Sequence, residues 1–144
     1  LYRYLKLDES KYADVSLPFA DLDTIPEYAI PAVKALYTEG VISGAEKNGR
    51  LYFNPNNALT RAQAAAMIGR TQAKGYALAN LTFTDSGKIA SWATDAVWWA
   101  VYHGLVSGTG NKQIAPEANA SRAQIAAILL RYMDQFMTEM EAAA

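Results

Sequence analysis

Apolar positions recur at helical spacing in four stretches of the chain. Ala29, Ala32, Val33 and Leu36 stand at i, i+3, i+4 and i+7, and Ala93, Ala96, Val97 and Ala100 repeat that spacing. Such a stripe turns one side of a helix toward a core. Ala64, Met67 and Ile68 give a third apolar face, and Ile125, Ile128, Leu129 and Tyr132 a fourth. Gly40 and Gly104 follow the first two stripes, where a left-handed residue closes a helix. Pro31 stands early in its helix, so that helix begins near it or bends there. Strand-like alternation never exceeds a few residues. The pattern predicts an all-α chain.

The stripes belong to an internal repeat, and a repeat governs the architecture. Phe19-Ala20-Asp21 matches Phe83-Thr84-Asp85, and the same offset pairs Tyr28 with Trp92 and Ala32-Val33 with Ala96-Val97. Gly40-Val41-Ile42-Ser43-Gly44 meets Gly104-Leu105-Val106-Ser107-Gly108. Further on, Pro55 matches Pro116, Thr60-Arg61-Ala62-Gln63 matches Ser121-Arg122-Ala123-Gln124, and Arg70 matches Arg131. The second copy is three residues shorter in its Gly/Asn-rich loop, where length change is cheap.

Each copy reads as helix, loop, helix, with loops at Ser43–Asn57 and Ser107–Asn119 rich in turn-forming residues. One helical hairpin cannot bury both faces alone, so the copies are expected to pack on one another as small helical bundles. The predicted segments are 1–18, the tail of a preceding repeat and a linker; 19–77 and 78–137, the two repeats; and 138–144, a C-terminal tail. Leu1-Tyr2-Arg3-Tyr4 looks like Leu129-Leu130-Arg131-Tyr132 at the end of the last helix. With Leu1 rather than Met at the start and no charged-then-apolar leader, the chain reads as an internal fragment.

The two tetrads carry the clearest chemistry. Ser/Thr-x-x-Gln is a capping box, in which Thr60 and Ser121 accept from the amides of Gln63 and Gln124 and those glutamines reach back. The box leaves Arg61 and Arg122 unexplained. A cation in the first turn is disfavoured by roughly 0.3–1 kcal/mol. A helix start with spare amides and a guanidinium is an anion site; an ion pair with Asp21 or Asp85, or an exposed side chain, is the alternative. Asp21 and Asp85 precede the first helices, as turn or N-cap residues or as contacts to a ligand hydroxyl. Trp92, Trp98, Trp99 and Tyr102 cluster in the second copy. Adjacent helical residues point about 100° apart, so Trp98 and Trp99 cannot both face inward, and an exposed aromatic suits stacking on a sugar or a protein partner.

Composition narrows the functions. The chain has 13 Lys+Arg against 14 Asp+Glu, which gives no general electrostatic reason to bind nucleic acid. No apolar run approaches the ~20 residues of a membrane span. There is no cysteine and one histidine, His103, at a helix C-terminus where an imidazole is favoured. That removes thiolate chemistry and leaves no legible base–nucleophile pair or metal cluster. Gly108-Thr109-Gly110-Asn111-Lys112 lacks the spacing of a phosphate loop, and Ala45–Arg50 lacks the alternating acids of a calcium loop. Neither a metal nor a cofactor is expected, nor an enzyme.

Phe-x-Asp, an Ala-rich helix, Gly-Val-Ile-Ser-Gly, Phe53-Asn54-Pro55 and Leu-Thr-Arg-Ala-Gln, recurring in order over about residues 19–137, resemble the S-layer homology domain. The resemblance implies an all-helical module of three-helix prongs, usually three tandem copies with pseudo-threefold symmetry. It implies grooves that bind secondary cell-wall polysaccharide, typically carrying a pyruvylated amino sugar, and so non-covalent anchoring at the extracellular cell surface. The motif's Arg lines the groove, which agrees with an anion site at Arg61 and Arg122. The residues expected to meet the ligand are Arg61, Arg122, Asp21, Asp85, Trp92, Gly44 and Gly108. The motif's Glu is Gln63 and Gln124 here, and two full copies are present rather than three. The competing reading is a protein–protein scaffold that binds no glycan.

Overall fold

The computed structural model describes residues 1–71 and 82–143, with side chains as far as Phe136. The predicted repeat boundary at 77/78 lies outside the described residues. Among the described residues there are four α-helices: α1 (Ile30–Thr38), α2 (Arg61–Gly69), α3 (Thr94–Tyr102) and α4 (Arg122–Ala143). Short 3₁₀ turns at Leu22–Thr24 and Glu27–Ala29 lead into α1, and Ser86–Lys88 precedes α3. Pro31 occupies the second position of α1, where a missing amide costs nothing. Gly40 and Gly104 take φ of +72° and +67°, closing α1 and α3 as their place in the pattern predicts. α4 runs on into the segment expected as the C-terminal tail, to Ala143, in keeping with a Met/Glu/Ala-rich stretch of good helix formers.

The all-α expectation holds for the framework and fails in one loop. Strands β1 (Ala45–Lys47) and β2 (Arg50–Tyr52) pair antiparallel, with Glu46 opposite Leu51. Asn48 and Gly49 between them have φ of +53° and +72°. A two-residue turn with both φ positive matches the twist of paired strands. The second copy, shorter by three residues, keeps only a Gly110–Gln113 bridge.

The chain forms two compact units, Leu1–Asn57 and Ala58–Ala144. In the first, a 3₁₀ turn at Glu9–Tyr12 packs on α1. Tyr12 donates to Glu39 Oε1 at 2.6 Å. Phe19 is buried with its ring 5.4 Å from Tyr37 and 5.5 Å from Phe53.

The second unit joins the last helix of one sequence copy to the whole of the next. α2 packs on α3. Ala62, Ala64, Ala65, Ala66, Ile68 and Gly69 of α2 are all buried, so this helix is covered on more sides than the single predicted face. α4 buries Ile128, Tyr132 and Phe136 at four-residue intervals. Tyr132 and Thr71 share a hydrogen bond of 2.7 Å. Sequence repeat and packing unit are therefore out of step by one helix.

Candidate functional site

Both Phe-x-Asp motifs build the same clamp. Asp21 Oδ1 and Oδ2 accept from the amides of Phe53 and Asn54, each at 2.8 Å. Asp85 does the same with Ile114 and Ala115, at 2.9 and 2.8 Å. Each carboxylate thus ties the start of a copy to the return of its loop. Neither side chain caps the 3₁₀ turn that follows it. Burial is the largest single effect on the Asp21 carboxyl and raises it, but the amides of Phe53 and Asn54 together outweigh it and hold the group below its ordinary value. The Ile114 amide leads the same lowering at Asp85. Hydrogen bonds to the charged form favour it.

The two glycines lie inside these clamps. A Cβ on Gly44 would stand 2.6 Å from Phe19 Cε1 and 3.0 Å from the Tyr52 carbonyl oxygen. On Gly108 it would stand 2.9 Å from the Gln113 carbonyl oxygen. These positions are small because the loop folds directly over them.

The capping boxes form as their spacing predicts. Gln63 N donates to Thr60 Oγ1 at 3.1 Å while Thr60 N donates to Gln63 Oε1 at 2.9 Å. Ser121 and Gln124 make the same pair at 3.1 and 2.9 Å.

The repeated arginines sit in different surroundings. Arg61 is 7% exposed. Its Nε donates to the Ile114 carbonyl at 3.0 Å and its Nη2 to the Ser107 carbonyl at 2.5 Å. Two charge-assisted bonds offset the cost of a cation at a helix start. They also spend donors that an anionic ligand would need. The ion pair with Asp85 is not made, since that carboxylate is engaged by amides. Arg122, at the matching place on α4, is exposed.

The aromatics divide as the helical geometry requires. Trp99 is buried, stacked 5.5 Å from Phe136 and 4.8 Å from His103. The carbonyl of His103 accepts from Gln135 Nε2 at 2.6 Å, so the lone histidine belongs to the α3–α4 packing. Trp92 is 55% exposed and Tyr28, its counterpart, 88%. Tyr28 was legible as the counterpart of Trp92, and its exposure adds it to the candidate residues. An open depression of about 530 Å³ over the hairpin, lined among others by Glu46, Lys47, Tyr52 and Asn54, is a feature the periodicity did not announce. Among the described residues no cluster of three acidic or histidine side chains could hold a metal, and no helix is long and apolar enough to cross a membrane.

Comparison with known proteins agrees with this repeated architecture. The chain is 33% identical over 140 residues to an amylopullulanase of Thermoanaerobacterium thermosulfurigenes, covering 94% of this chain and 7% of that protein. It is 33% identical over 124 residues to a surface-layer 125 kDa protein of Lysinibacillus sphaericus, covering 84% of this chain and 10% of that protein. An endoglucanase of Bacillus sp. (strain KSM-635) is 29% identical over 125 residues, with 12% of its length covered. The chain thus spans about a tenth of the length of these relatives. The family model for the S-layer homology domain matches residues 18–65 and 82–126. With both matches falling on the two clamped copies, the chain belongs to the S-layer homology domain family.

Proposed function

We propose that the chain is a non-covalent cell-wall anchoring module that binds secondary cell-wall polysaccharide, in pyruvylated form, at the extracellular surface. Membership in the S-layer homology family and likeness to a surface-layer protein support anchoring at the wall. The observation that carries the glycan reading is the pair of exposed aromatics, Tyr28 and Trp92, repeated just ahead of α1 and α3. An exposed ring at a repeated place offers an apolar face to a sugar and a polar edge to water. Asp21, Asp85, Gly44 and Gly108 act by shaping the loops rather than by reaching out. Of the two arginines, Arg122 can take the pyruvyl carboxylate without giving up bonds to loop carbonyls. The S-layer homology domain is a binding module, and the enzyme names above belong to proteins of which this chain matches 7% and 12%.

Purified cell walls, before and after removal of their polysaccharide, test the reading. The chain is expected to sediment with intact walls and stay in solution with stripped ones. Trp92→Ala and Tyr28→Ala should each weaken retention about threefold to tenfold, the range of an aromatic contact. Equal retention on stripped walls would overturn the proposal. The scaffold reading keeps one supporting observation, the exposed Leu130 on α4 at 59%.

A further inference from the structure

Asn48 and Gly49 form the tip of the β1–β2 hairpin, with φ of +53° and +72°. Both are exposed. Apart from its chain neighbours, nothing lies within 4 Å of the place a Cβ would take on Gly49. Among the described residues neither the Asn48 side chain nor the Gly49 amide has a hydrogen-bond partner. The matching turn of the second copy, Asn111 and Lys112 between Gly110 and Gln113, is exposed as well. That second turn stays in solvent within a unit that holds α2, α3 and α4, so exposure belongs to the tip itself.

An asparagine amide and the amide nitrogen of the next residue react with each other where both are unengaged. The chain has seven asparagines, and Asn48 alone precedes a glycine. Pro55, after Asn54, has no N–H to lose. The residues after the other five carry a Cβ that crowds the approach. Ring closure needs the Asn48 backbone to rotate out of the turn. Glycine permits that rotation, and a two-stranded hairpin with three residues per strand is only marginally held. The rest of the loop stays in place: Ala20 N donates to the Leu51 carbonyl at 2.8 Å, and Asp21 holds the amides of Phe53 and Asn54. In the second copy the turn itself is tied, Thr84 N donating to the Lys112 carbonyl at 2.9 Å.

We propose that Asn48 is a modification site, at which the chain deamidates spontaneously through its own Gly49 nitrogen. That nitrogen gives up its proton to solvent hydroxide and attacks Asn48 Cγ. The new C–N bond forms as the bond from Cγ to Nδ2 breaks, and the side-chain nitrogen takes a proton from water and leaves as ammonia. The product is a succinimide ring. Water then adds to one of its two carbonyls: opening at Cγ leaves aspartate, and opening at the main-chain carbonyl leaves isoaspartate. The balance is water taken up and ammonia released, with no change of oxidation state. Either product puts a carboxylate on the rim of the depression that Glu46 also lines, and makes the formal net charge of −1 more negative by one. Isoaspartate also adds a methylene to the main chain, in the two-residue turn that sets Lys47 opposite Arg50. The hairpin tip thus changes in one direction with the age of the molecule. The reaction needs no glycan and does not depend on what the chain binds.

The test is to keep the intact protein in mildly alkaline buffer at physiological temperature, with matched samples in urea, and to follow it by peptide mapping and mass spectrometry. In the folded chain the amide-to-acid change at Asn48 should run about tenfold or more faster than at Asn111, and within about tenfold of its own rate in urea. Isoaspartate should exceed aspartate, and it identifies the ring route, since direct hydrolysis of the side-chain amide yields aspartate alone. The rate should rise with pH, as loss of the Gly49 amide proton requires. Gly49→Ala should slow the step about tenfold, and Asn48→Gln should remove it. The measurement on the unmodified chain stands whether or not the variants fold. Asn48 as durable as Asn111 in the folded chain, aspartate as the sole product, or a rate indifferent to pH would overturn the proposal.

Discussion

Arg61 and Ser107 belong to different sequence copies, yet the Arg61 guanidinium donates to the Ser107 carbonyl at 2.5 Å within one packing unit. That bond and its partner at Ile114 make Arg61 a fastener between copies. Arg61→Ala should destabilise the chain by about 2–4 kcal/mol, since it removes charge-assisted bonds and leaves carbonyls unsatisfied. Arg61→Lys should recover only part, because an ammonium cannot reproduce the fork. Arg122→Ala should stay within about 0.5 kcal/mol, as exposed substitutions do. Urea midpoints of the three variants check the contrast, and equal losses at both arginines would remove it.

Both capping boxes are complete, so Thr60→Ala and Ser121→Ala should each cost about 1 kcal/mol. Gln63→Glu should add a few tenths of a kcal/mol through the helix dipole while keeping the box. Thermal denaturation of the three proteins reads all of these effects.

Gly44→Ala should be far more damaging than Gly49→Ala. Both positions have positive φ, +77° and +72°, which costs an alanine about 1–2 kcal/mol. Only at Gly44 does the added carbon also meet the Phe19 ring at 2.6 Å. Gly49→Ala should show the backbone cost alone. Similar melting temperatures for the two variants would argue against the tight closure over Phe19.

Acid should open the clamps. Asp21 and Asp85 have folded-state pKa values below their unfolded ones. Their stabilisation is present above the unfolded pKa and disappears as pH falls through the folded one. The midpoint of urea unfolding should therefore hold through the neutral range and fall below the ordinary carboxylate range. Asp85→Asn should lower the midpoint at neutral pH and flatten that acid limb. An unchanged limb would mean that other carboxyls govern acid stability.

The framework was legible because helical periodicity and caps are local. The apolar stripes, Gly40, Gly104 and both tetrads stand where spacing alone puts them. The hairpin was also written in the chain, as Asn48-Gly49, but its strands are three residues each and offer too little alternation to register as a pattern. The different surroundings of Arg61 and Arg122 were not legible. Similar tetrads, Thr-Arg-Ala-Gln and Ser-Arg-Ala-Gln, place both at a helix start, and the carbonyls that bury Arg61, those of Ser107 and Ile114, lie far along the chain from it. The roles of Asp21 and Asp85 depend likewise on amides about thirty positions downstream, beyond the reach of turn propensities.

The one-helix offset between repeat and packing unit bears on how such chains grow. A duplication that copies the sequence repeat inserts a first half, a loop and a helix start together. The incoming loop presents carbonyls to the resident helix start, and the incoming helix start presents a new arginine to whatever follows. No interface has to be invented at the point of insertion. Copy number can then change by whole repeats in the course of evolution, because every internal joint is rebuilt from parts that the joint before it already used.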